Sequence, residues 1–384
     1  MQKNISSKLP KTAPSIFEKM TSLADSNSAI NLAQGFPDFK PDPKLVALVN
    51  KHIKAGNNQY APVAGVMPLR QAIARQTRRN YKADYDPISE ITITNGATQA
   101  IYTAISAFIR EGNEVIVFEP AYESYIPSIR VNQGIAKTIE LKAPDFRINW
   151  NEVKRVISIN TRMIILNSPH NPTGMMLDKE DIAQLVSLVA DKEILVLSDE
   201  VYEHIRFDGR EHLSLAGVPA LRDQCLIINS FGKSTHTTGW KIGYCLAPGY
   251  LTAEFRKIHQ NMVFSVNTPI QFALSEFLED ETRFDYIPDF YQEKRDYFSF
   301  LLKDTGFITL PCAGTYFQLA SYEGLSDKID KEFSVDLTTT CGVATIPLSS
   351  FYVQPRQDKI LRFCFAKTTE TLEKAAKNLL VLQQ

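Results

Sequence analysis

The stretch CLIINSFGK, at residues 225–233, joins an apolar run to a basic side chain. Residues 225–229 are mostly apolar and β-branched, which predicts an interior strand of a parallel sheet. Lys233 follows at the carboxyl end of that strand, where open α/β sheets bind their ligands. An amine that is partly desolvated there can lose its proton and condense with an aldehyde. The alternative is a solvated loop lysine, and the neighbouring motifs weigh against it.

A second apolar run, ILVLS at residues 194–198, ends in Asp199 and predicts a further strand. We expect the Asp199 carboxylate at the same sheet edge as Lys233, and a buried carboxylate needs a partner. The protonated ring nitrogen of pyridoxal phosphate is such a partner, because a carboxylate beside it lets the ring accept electrons. A helix cap is the alternative for Asp199 taken alone. Together, the lysine and the carboxylate indicate a pyridoxal phosphate enzyme.

Two loops that follow other apolar runs add polar groups to this edge. NSPHNPTG, at residues 167–174, presents Asn171, although Asn-Pro is also a common turn initiator. In ITITNGATQA, at residues 91–100, a strand gives way at Gly96 to a helix predicted over 98–109. Free backbone amides at a helix start bind phosphate. The predicted phosphate site consists of Gly96, Ala97 and Thr98, with a hydroxyl from Ser230 and a positive charge from Lys241.

Strands and helices alternate along most of the chain. ITIT, EVIVF, MIILN, ILVLS, LIINS and GYCLAP are the predicted strands, with helices near 123–132, over 178–190 and, towards the end, near 331–341. The alternation predicts an α/β fold with a mostly parallel sheet that helices cover on both faces. A chain of 384 residues also exceeds the usual size of a single core. We predict an N-terminal arm with part of a small domain over 1–44, a large domain over 45–276 and a small domain over 277–384.

Composition and charge argue against several classes of protein. The formal net charge is -1 and the pI is near 6.6, which disfavours nucleic acid or an anionic membrane as a partner. The five cysteines lack CxxC spacing, which is typical of buried thiols in a reducing compartment. The polar, proline-broken N-terminus lacks the apolar core of a signal peptide, and no apolar run reaches membrane-spanning length. We therefore expect a cytoplasmic protein with no metal site and no membrane segment.

Several short motifs spread over nearly the whole chain resemble those of one enzyme family, in the same order. They are GFPDF, NQYAP, SFGK, GWKIGY, FSVNTP and RFCFAK. The sequence resembles the class I and II aminotransferases, and within them the branch that holds methionine, kynurenine and glutamine aminotransferases. The resemblance implies the type I fold of pyridoxal-phosphate enzymes. In that fold a large domain holds a mostly parallel seven-stranded sheet, and the smaller domain is α+β.

The resemblance also implies a role for each site residue. Lys233 would form the Schiff base with pyridoxal 5'-phosphate and shuttle the proton of the substrate, and Asp199 would pair with the ring nitrogen. Asn171 and Tyr202 would hydrogen-bond the phenolic oxygen of the cofactor, and Asn171 would also contact the substrate. The other implied roles are stacking on the pyridine ring for Tyr122, a clamp on the substrate carboxylate for Arg362 and a backbone amide to that carboxylate from Gly35. The alternatives are a core position for Tyr122 and a structural salt bridge for Arg362.

Three further residues are implied to act across a subunit interface. Tyr60 resembles the tyrosine that reaches the cofactor phosphate of the neighbouring subunit. Phe264 and Asn267 fall in a segment that crosses between subunits. The resemblance therefore implies a homodimer, although an aromatic at position 264 is also compatible with a plain interface or core role.

The sequence favours a substrate with a neutral side chain. We can assign no second cation to a distal carboxylate, and Phe17, Tyr122 and Phe264 are candidate pocket walls, although Phe17 is as well suited to anchoring the arm. Methionine is the favoured amino donor, with glutamine, kynurenine and phenylalanine as further candidates and a 2-oxo acid as acceptor in ping-pong half-reactions. β-Elimination on cysteine S-conjugates is the alternative. A nicotinamide-dependent dehydrogenase would need a GxGxxG turn after its first strand, which this sequence lacks.

Overall fold

The computed structural model describes residues 6–10, 12 and 14–383, so residues 1–5, 11 and 13 of the predicted arm lie outside the described residues. The helices are α1 (Ile16–Ser26), α2 (Pro43–Lys54), α3 (Met67–Tyr81), α4 (Gly96–Phe108), α5 (Tyr125–Val131), α6 (Trp150–Val156), α7 (Lys179–Val189), α8 (Phe231–Ser234), α9 (Gly249–Met262), α10 (Thr268–Phe277), α11 (Ile287–Leu302), α12 (Asp330–Asp336) and α13 (Thr369–Leu379). The strands are β1 (Ile30–Asn31), β2 (Ile91–Thr94), β3 (Glu114–Glu119), β4 (Ile135–Glu140), β5 (Thr161–Asn167), β6 (Leu195–Asp199), β7 (Cys225–Ser230), β8 (Gly243–Leu246), β9 (Ile308–Thr309), β10 (Phe317–Ser321), β11 (Val343–Ala344), β12 (Ile346–Pro347) and β13 (Ile360–Cys364). Within the described ranges, no helix combines the length and apolar character needed to cross a membrane.

Seven strands form the central sheet, in the order β2-β8-β7-β6-β5-β3-β4. The five strands from β7 to β4 in this order are parallel to one another. β8 runs antiparallel to both of its neighbours, β2 and β7. The predicted α/β fold with a mostly parallel sheet of seven strands is confirmed.

Alternate residues of the interior strands face two separate cores. In β5, Ile164 and Leu166 pack in one core, while Met163 and Ile165 pack in the other. The second core also receives Ile101 from α4. Because both faces of the sheet are buried, these strands read as continuous apolar runs instead of alternating patterns.

The carboxyl ends of the central strands bring polar residues together. β5 ends at Asn167 and β6 at Asp199, and these two residues are paired in register. β7 ends at Ser230, directly before the short helix α8 that contains Lys233. Since parallel strands end at one edge of a sheet, side chains that are remote in the sequence meet there.

A smaller antiparallel sheet is built from the C-terminal part of the chain, in the order β12-β13-β10-β9. Arg362 lies in the middle of β13, opposite Leu319 of β10. β1 pairs in parallel with β11 and so ties the N-terminal segment to the C-terminal part. The boundaries at 44/45 and 276/277 stay a prediction.

Three elements differ from the sequence-based expectation. The helix predicted over 98–109 begins earlier, at Gly96. The helix predicted near 331–341 is α12 followed by a π-helical turn over Leu337–Cys341, where the hydroxyls of Thr338 and Thr340 donate to carbonyls four residues back. The edge strand β4, with the sequence IAKTIE, has no counterpart among the predicted elements because it is only partly buried and carries little apolar pattern.

Candidate active site

A cavity of about 210 Å³ opens at the carboxyl edge of the central sheet. Residues at the ends of β5, β6 and β7 line one side of it, and Phe317 and Arg362 reach it from the small sheet. The predicted site residues that line the cavity are Phe17, Gly35, Ala97, Thr98, Tyr122, Asn171, Asp199, Tyr202, Ser230, Lys233, Lys241 and Arg362. The fold therefore gathers residues from both ends of the chain around one space.

Lys233 lies one turn beyond the end of β7 and is half-buried. Its Nζ donates a hydrogen bond to the Tyr316 hydroxyl at 2.7 Å. Desolvation, together with the nearby positive charge of Lys241, lowers the pKa of the Lys233 amine to about 8. A substantial fraction of the amine is therefore unprotonated slightly above neutral pH, as a nucleophile requires.

Asp199 is the last residue of β6 and is buried. Its Oδ2 accepts a hydrogen bond from the Tyr125 hydroxyl at 2.6 Å, and its Oδ1 accepts one from the backbone N–H of Val201 at 3.3 Å. Burial raises the pKa of the Asp199 carboxyl to about 6, while the bond from Tyr125 acts in the opposite direction. A buried carboxylate of this kind fits a cationic partner such as a protonated ring nitrogen.

The turn between β2 and α4 forms a cradle for an anion. Gly96 has a φ of 76°, in the left-handed region that glycine adopts at little cost. A Cβ on Gly96 would lie 3.1 Å from Lys241 Cε and 3.3 Å from Lys241 Nζ, so a side chain there would fill the space. The first residues of α4 present backbone amides beside that ammonium group, and Ser230 lines the same cavity. This arrangement fits a phosphate group.

Arg362 is only 1% exposed, and its guanidinium donates to Asn171 Oδ1 at 2.9 Å and to the Ala33 carbonyl at 2.8 Å. Three aromatic rings surround the guanidinium. The ring centroids of Phe17, Phe317 and Phe351 lie 5.0, 3.8 and 5.1 Å from its Cζ, respectively. Both hydrogen-bond partners are neutral, and Nε has no partner among the described residues. Burial lowers the pKa of Arg362 to about 10, so the group remains a cation at neutral pH. It is therefore suited to an anionic ligand, whereas the structural salt bridge considered from the sequence is not observed in the described chain.

The remaining walls of the cavity are mostly aromatic. The Tyr122 hydroxyl lies 3.2 Å from Thr98 Oγ1. Tyr202 is buried, and its ring meets that of Tyr316 edge-on at 5.2 Å between centroids. Phe17 enters from the first turn of α1, next to the N-cap Ser15.

Tyr60 and Phe264 lie outside this cavity. They are 82% and 52% exposed, and their rings contact each other edge-on at 5.4 Å between centroids. Asn267 accepts a hydrogen bond from the Ile270 backbone N–H at 3.2 Å and so caps α10. An exposed pair of aromatic rings suits a protein interface, and the action of these residues across a dimer stays a prediction.

Comparison with known proteins identifies the family. The family model for aminotransferase class I and II matches residues 27–379. The chain belongs to the class I and II aminotransferases. This aminotransferase is 47% identical over 374 residues to the methionine aminotransferase of Escherichia coli K12, a match that covers 97% of each chain. It is 34% identical over 412 residues to the kynurenine–oxoglutarate transaminase of Dictyostelium discoideum, which covers 97% of this chain and 94% of that one.

A solved structure supports the same assignment. The aminotransferase superposes on N-succinyldiaminopimelate aminotransferase from Mycobacterium tuberculosis with a TM-score of 0.94 and 35% identity, covering 99% of this chain and 100% of that one. The predicted type I fold and the predicted transaminase activity are confirmed. The cofactor of the family is pyridoxal 5'-phosphate, and the buried Asp199, the cradle at Gly96 and the amine of Lys233 fit its ring nitrogen, phosphate and aldehyde.

Sequence reasoning missed three polar residues of the aminotransferase site. Tyr125 follows Tyr122 by three residues in FEPAYESY, and this second tyrosine so close to a predicted site residue could have drawn attention to it. Asn167 accepts from the Asn171 backbone N–H at 2.8 Å and donates to the Asp199 carbonyl at 2.8 Å, and its place at a strand end was a similar signal. Tyr316, in GTYFQLA, had no such signal, because its partner Lys233 lies far away in the sequence.

Proposed function

We propose that this aminotransferase moves the amino group of a neutral or aromatic L-amino acid, with methionine foremost, to a 2-oxo acid. The observation that carries the proposal is the placement of the cations. Among the described residues that line the cavity, the cations are Lys233, Lys241 and Arg362. We assign Lys233 to the aldehyde of the cofactor, Lys241 to its phosphate and Arg362 to the α-carboxylate of the substrate. None is left for the distal carboxylate of a dicarboxylic substrate. Aromatic walls then favour methionine, and also glutamine, kynurenine and phenylalanine.

We assign the cofactor-side roles to residues at the sheet edge. When bound, pyridoxal phosphate supplies an aldehyde for amines and a ring that takes up the electron pair of the substrate α-carbon. Lys233 Nζ attaches the cofactor and carries the proton to and from that carbon. Asp199 keeps the ring nitrogen protonated, and Asn171 and Tyr202 donate hydrogen bonds to the phenolic oxygen. Tyr122 stacks on the ring, and the phosphate is bound by Gly96, Ala97, Thr98, Ser230 and Lys241.

On the opposite side, Arg362 binds the substrate carboxylate. A guanidinium presents paired donors that match a carboxylate, and the Nε described above supplies one of them. Asn171 orients the guanidinium by accepting a hydrogen bond at 2.9 Å. Gly35 offers a backbone amide, and Phe17 covers the bound side chain. These contacts hold the α-carbon within reach of Lys233.

We also propose a homodimer in which Tyr60 binds the cofactor phosphate of the neighbouring subunit and Phe264 forms part of its substrate pocket. The exposed Tyr60–Phe264 pair supports this proposal, because large exposed aromatics are typical of interface residues. Sedimentation of the purified enzyme should show a dimer, and Phe264→Asp should shift it towards the monomer. A wild-type monomer with full activity would contradict the proposal. A cytoplasmic location likewise stays a prediction from the sequence.

The half-reaction spectrum tests the substrate assignment. Methionine, added to the cofactor-loaded enzyme without a 2-oxo acid, should convert the absorption band of the aldehyde form into that of the amino form. We expect glutamate to do so at least about tenfold less efficiently, because its second carboxylate finds no cation. Equal efficiencies would overturn the preference for neutral side chains. Borohydride reduction followed by peptide mapping should place the cofactor on Lys233, and a different modified lysine would overturn that assignment.

β-Elimination on cysteine S-conjugates would use the same lysine and differ in the products. Pyruvate and ammonia released from such a conjugate, at a rate that matches methionine transamination, would make elimination the main activity. We expect transamination to be much the faster reaction.

A further inference from the structure

We propose that Tyr316 positions the Lys233 amine whenever that amine is not bonded to the cofactor, and so acts as a positioning residue of the aminotransferase reaction. The inference rests on the proposed role of Lys233 as the residue that attaches the cofactor. Tyr316 directly precedes β10 and is fully buried. It reaches the lysine from the small sheet, whereas Lys233 lies in α8, directly after β7 of the central sheet.

The hydrogen bonds of Tyr316 have a fixed direction. Its hydroxyl donates to the Gly35 carbonyl at 2.7 Å and receives the bond from Lys233 Nζ at 2.7 Å. A phenol has one proton, and the carbonyl of Gly35 can only accept. The oxygen of Tyr316 must therefore act as the acceptor towards Lys233.

This direction has two consequences for the lysine. One N–H of Lys233 donates to Tyr316, and this bond fixes the rotation of the amine about its Cε–Nζ bond. The remaining N–H groups or the lone pair of Nζ then face the reacting atoms. An acceptor also stabilises the ammonium form more than the neutral amine, because a hydrogen bond from a charged donor is the stronger one. Tyr316 thus works against desolvation, which lowers the pKa of Lys233. When Lys233 has taken up a proton, the Tyr316 hydroxyl therefore stabilises the resulting ammonium group.

Packing holds the Tyr316 ring in place. The ring meets Tyr202 at 5.2 Å and Phe317 at 4.9 Å between centroids, both edge-on. A Cβ on Gly35 would lie 2.6 Å from Phe317 Cζ and 3.2 Å from Tyr316 Cε2, so only glycine permits this close approach. The chain of contacts from Lys233 through Tyr316 to Gly35 joins the reacting amine to the segment that we assign to the substrate carboxylate.

Tyr316→Phe tests the proposal by removing the hydroxyl and keeping the ring. Tyr291→Phe is the matched control, because the Tyr291 ring packs 5.8 Å from that of Tyr316 and its buried hydroxyl has no partner among the described residues. In enzyme loaded with the amino form of the cofactor, Lys233 is free, and its acetylation by acetic anhydride can be followed by peptide mass spectrometry as a function of pH. We expect the midpoint of labelling to fall by about one pH unit in Tyr316→Phe and to stay at the wild-type value in Tyr291→Phe.

Kinetics supply the second readout. With α-deuterated methionine, Tyr316→Phe should lower kcat about tenfold, change KM less than about twofold and raise the isotope effect, since a poorly placed amine slows proton transfer. A midpoint and an isotope effect equal to those of wild type would overturn the proposal. Equal changes in Tyr316→Phe and Tyr291→Phe would also overturn it, because they would reflect packing alone.

Two further measurements separate the possible failures. If borohydride does not attach the cofactor to Lys233 in the wild-type enzyme, the proposed function fails before Tyr316 is tested. If Tyr316→Phe does not fold, 3-fluorotyrosine at position 316 keeps the hydroxyl as a weaker acceptor. It should lower the labelling midpoint by a smaller amount, and an unchanged midpoint would again overturn the proposal.

Discussion

Lys233 and Arg362 stand on opposite sides of one cavity and are held in opposite ways. Arg362 is 1% exposed, is bonded to Asn171 and Ala33, and lies among three aromatic rings. Lys233 is half-buried, and the described structure gives its Nζ one hydrogen bond, to Tyr316. Its pKa is lowered to about 8.

The contrast agrees with the roles that we propose for the two side chains. A residue that forms and breaks a bond must change partners and protonation during the reaction, so it keeps few fixed contacts. A residue that orients the substrate works best when its side chain is already fixed before the substrate binds, since binding then costs no conformational entropy of that side chain. With the roles that we propose, the end of the central sheet carries the reacting half of the site, around Lys233, and the small sheet carries Arg362, the centre of the orienting half.

We expect the largest loss of activity from a substitution in the reacting half of the site. Lys233→Ala should lower kcat/KM for methionine more than about 10³-fold, because the nucleophile and the proton carrier disappear together. The cofactor should still bind, weakly, through the phosphate cradle. Lys257→Ala, which removes an exposed lysine paired with Glu254, is the control and should react like wild type in the same steady-state assay. Wild-type turnover in Lys233→Ala would contradict the whole assignment.

Arg362→Lys should have the next largest effect, in the orienting half. Lysine keeps the charge but cannot donate to Asn171, Ala33 and a carboxylate in one plane. We expect kcat/KM for methionine to fall by about 10²- to 10³-fold, or roughly 3 to 4 kcal/mol. Arg356→Lys, at an arginine bonded to Asp358 and Glu140, is the matched control. A loss below threefold would mean that a point charge is sufficient and that the rigid setting of Arg362 is not needed.

Tyr125→Phe should give a smaller effect that depends on pH. The Tyr125 hydroxyl holds down the pKa of Asp199, which burial has raised to about 6, so its removal raises that pKa further. Binding of the protonated cofactor ring needs the carboxylate form, which is present above the pKa and lost as the pH falls through it. The affinity for pyridoxal phosphate should therefore drop about tenfold near pH 6 and change little at pH 8.5.

Titration of cofactor binding by fluorescence checks this prediction. Tyr250→Phe, at an exposed tyrosine, is the control. If the acid limb of binding in Tyr125→Phe coincides with that of wild type, Tyr125 does not tune the reacting half.

We expect the smallest effect on activity from a substitution at Ser15, which caps α1 at the edge of the orienting half. Ser15 Oγ donates to both carboxylate oxygens of Glu123 at 2.9 Å and accepts from the Phe17 backbone N–H at 3.2 Å, which caps α1. Ser15→Ala should raise KM for methionine about two- to fivefold, because loss of a cap costs about 1 kcal/mol and loosens Phe17, while kcat stays within twofold. Ser26→Ala, at the other end of α1, is the control. An unchanged KM would show that packing alone holds the start of α1.

The position of a residue in the fold could be predicted from the sequence where a polar residue follows a strand. Lys233, Asp199 and Asn171 each come after an apolar run, and all three line the cavity. Arg362 was placed by family resemblance, and it also lines the cavity. Tyr316 was missed because its partner Lys233 lies 83 residues away in the sequence, and the bond from Tyr125 to Asp199, 74 residues away, was likewise visible only in the structure.

The sequence by itself determined the α/β fold and the edge of the sheet at which the site lies. Strand and helix periods are local properties, and parallel strands that end in polar loops must deliver those loops to one edge. Only the tertiary structure decided how each group is held. The three rings around Arg362, the single acceptor for Lys233 and the hydroxyl beside Asp199 are contacts between distant segments. Such contacts arise where segments that are far apart in the sequence pack together, which no local pattern of residues encodes.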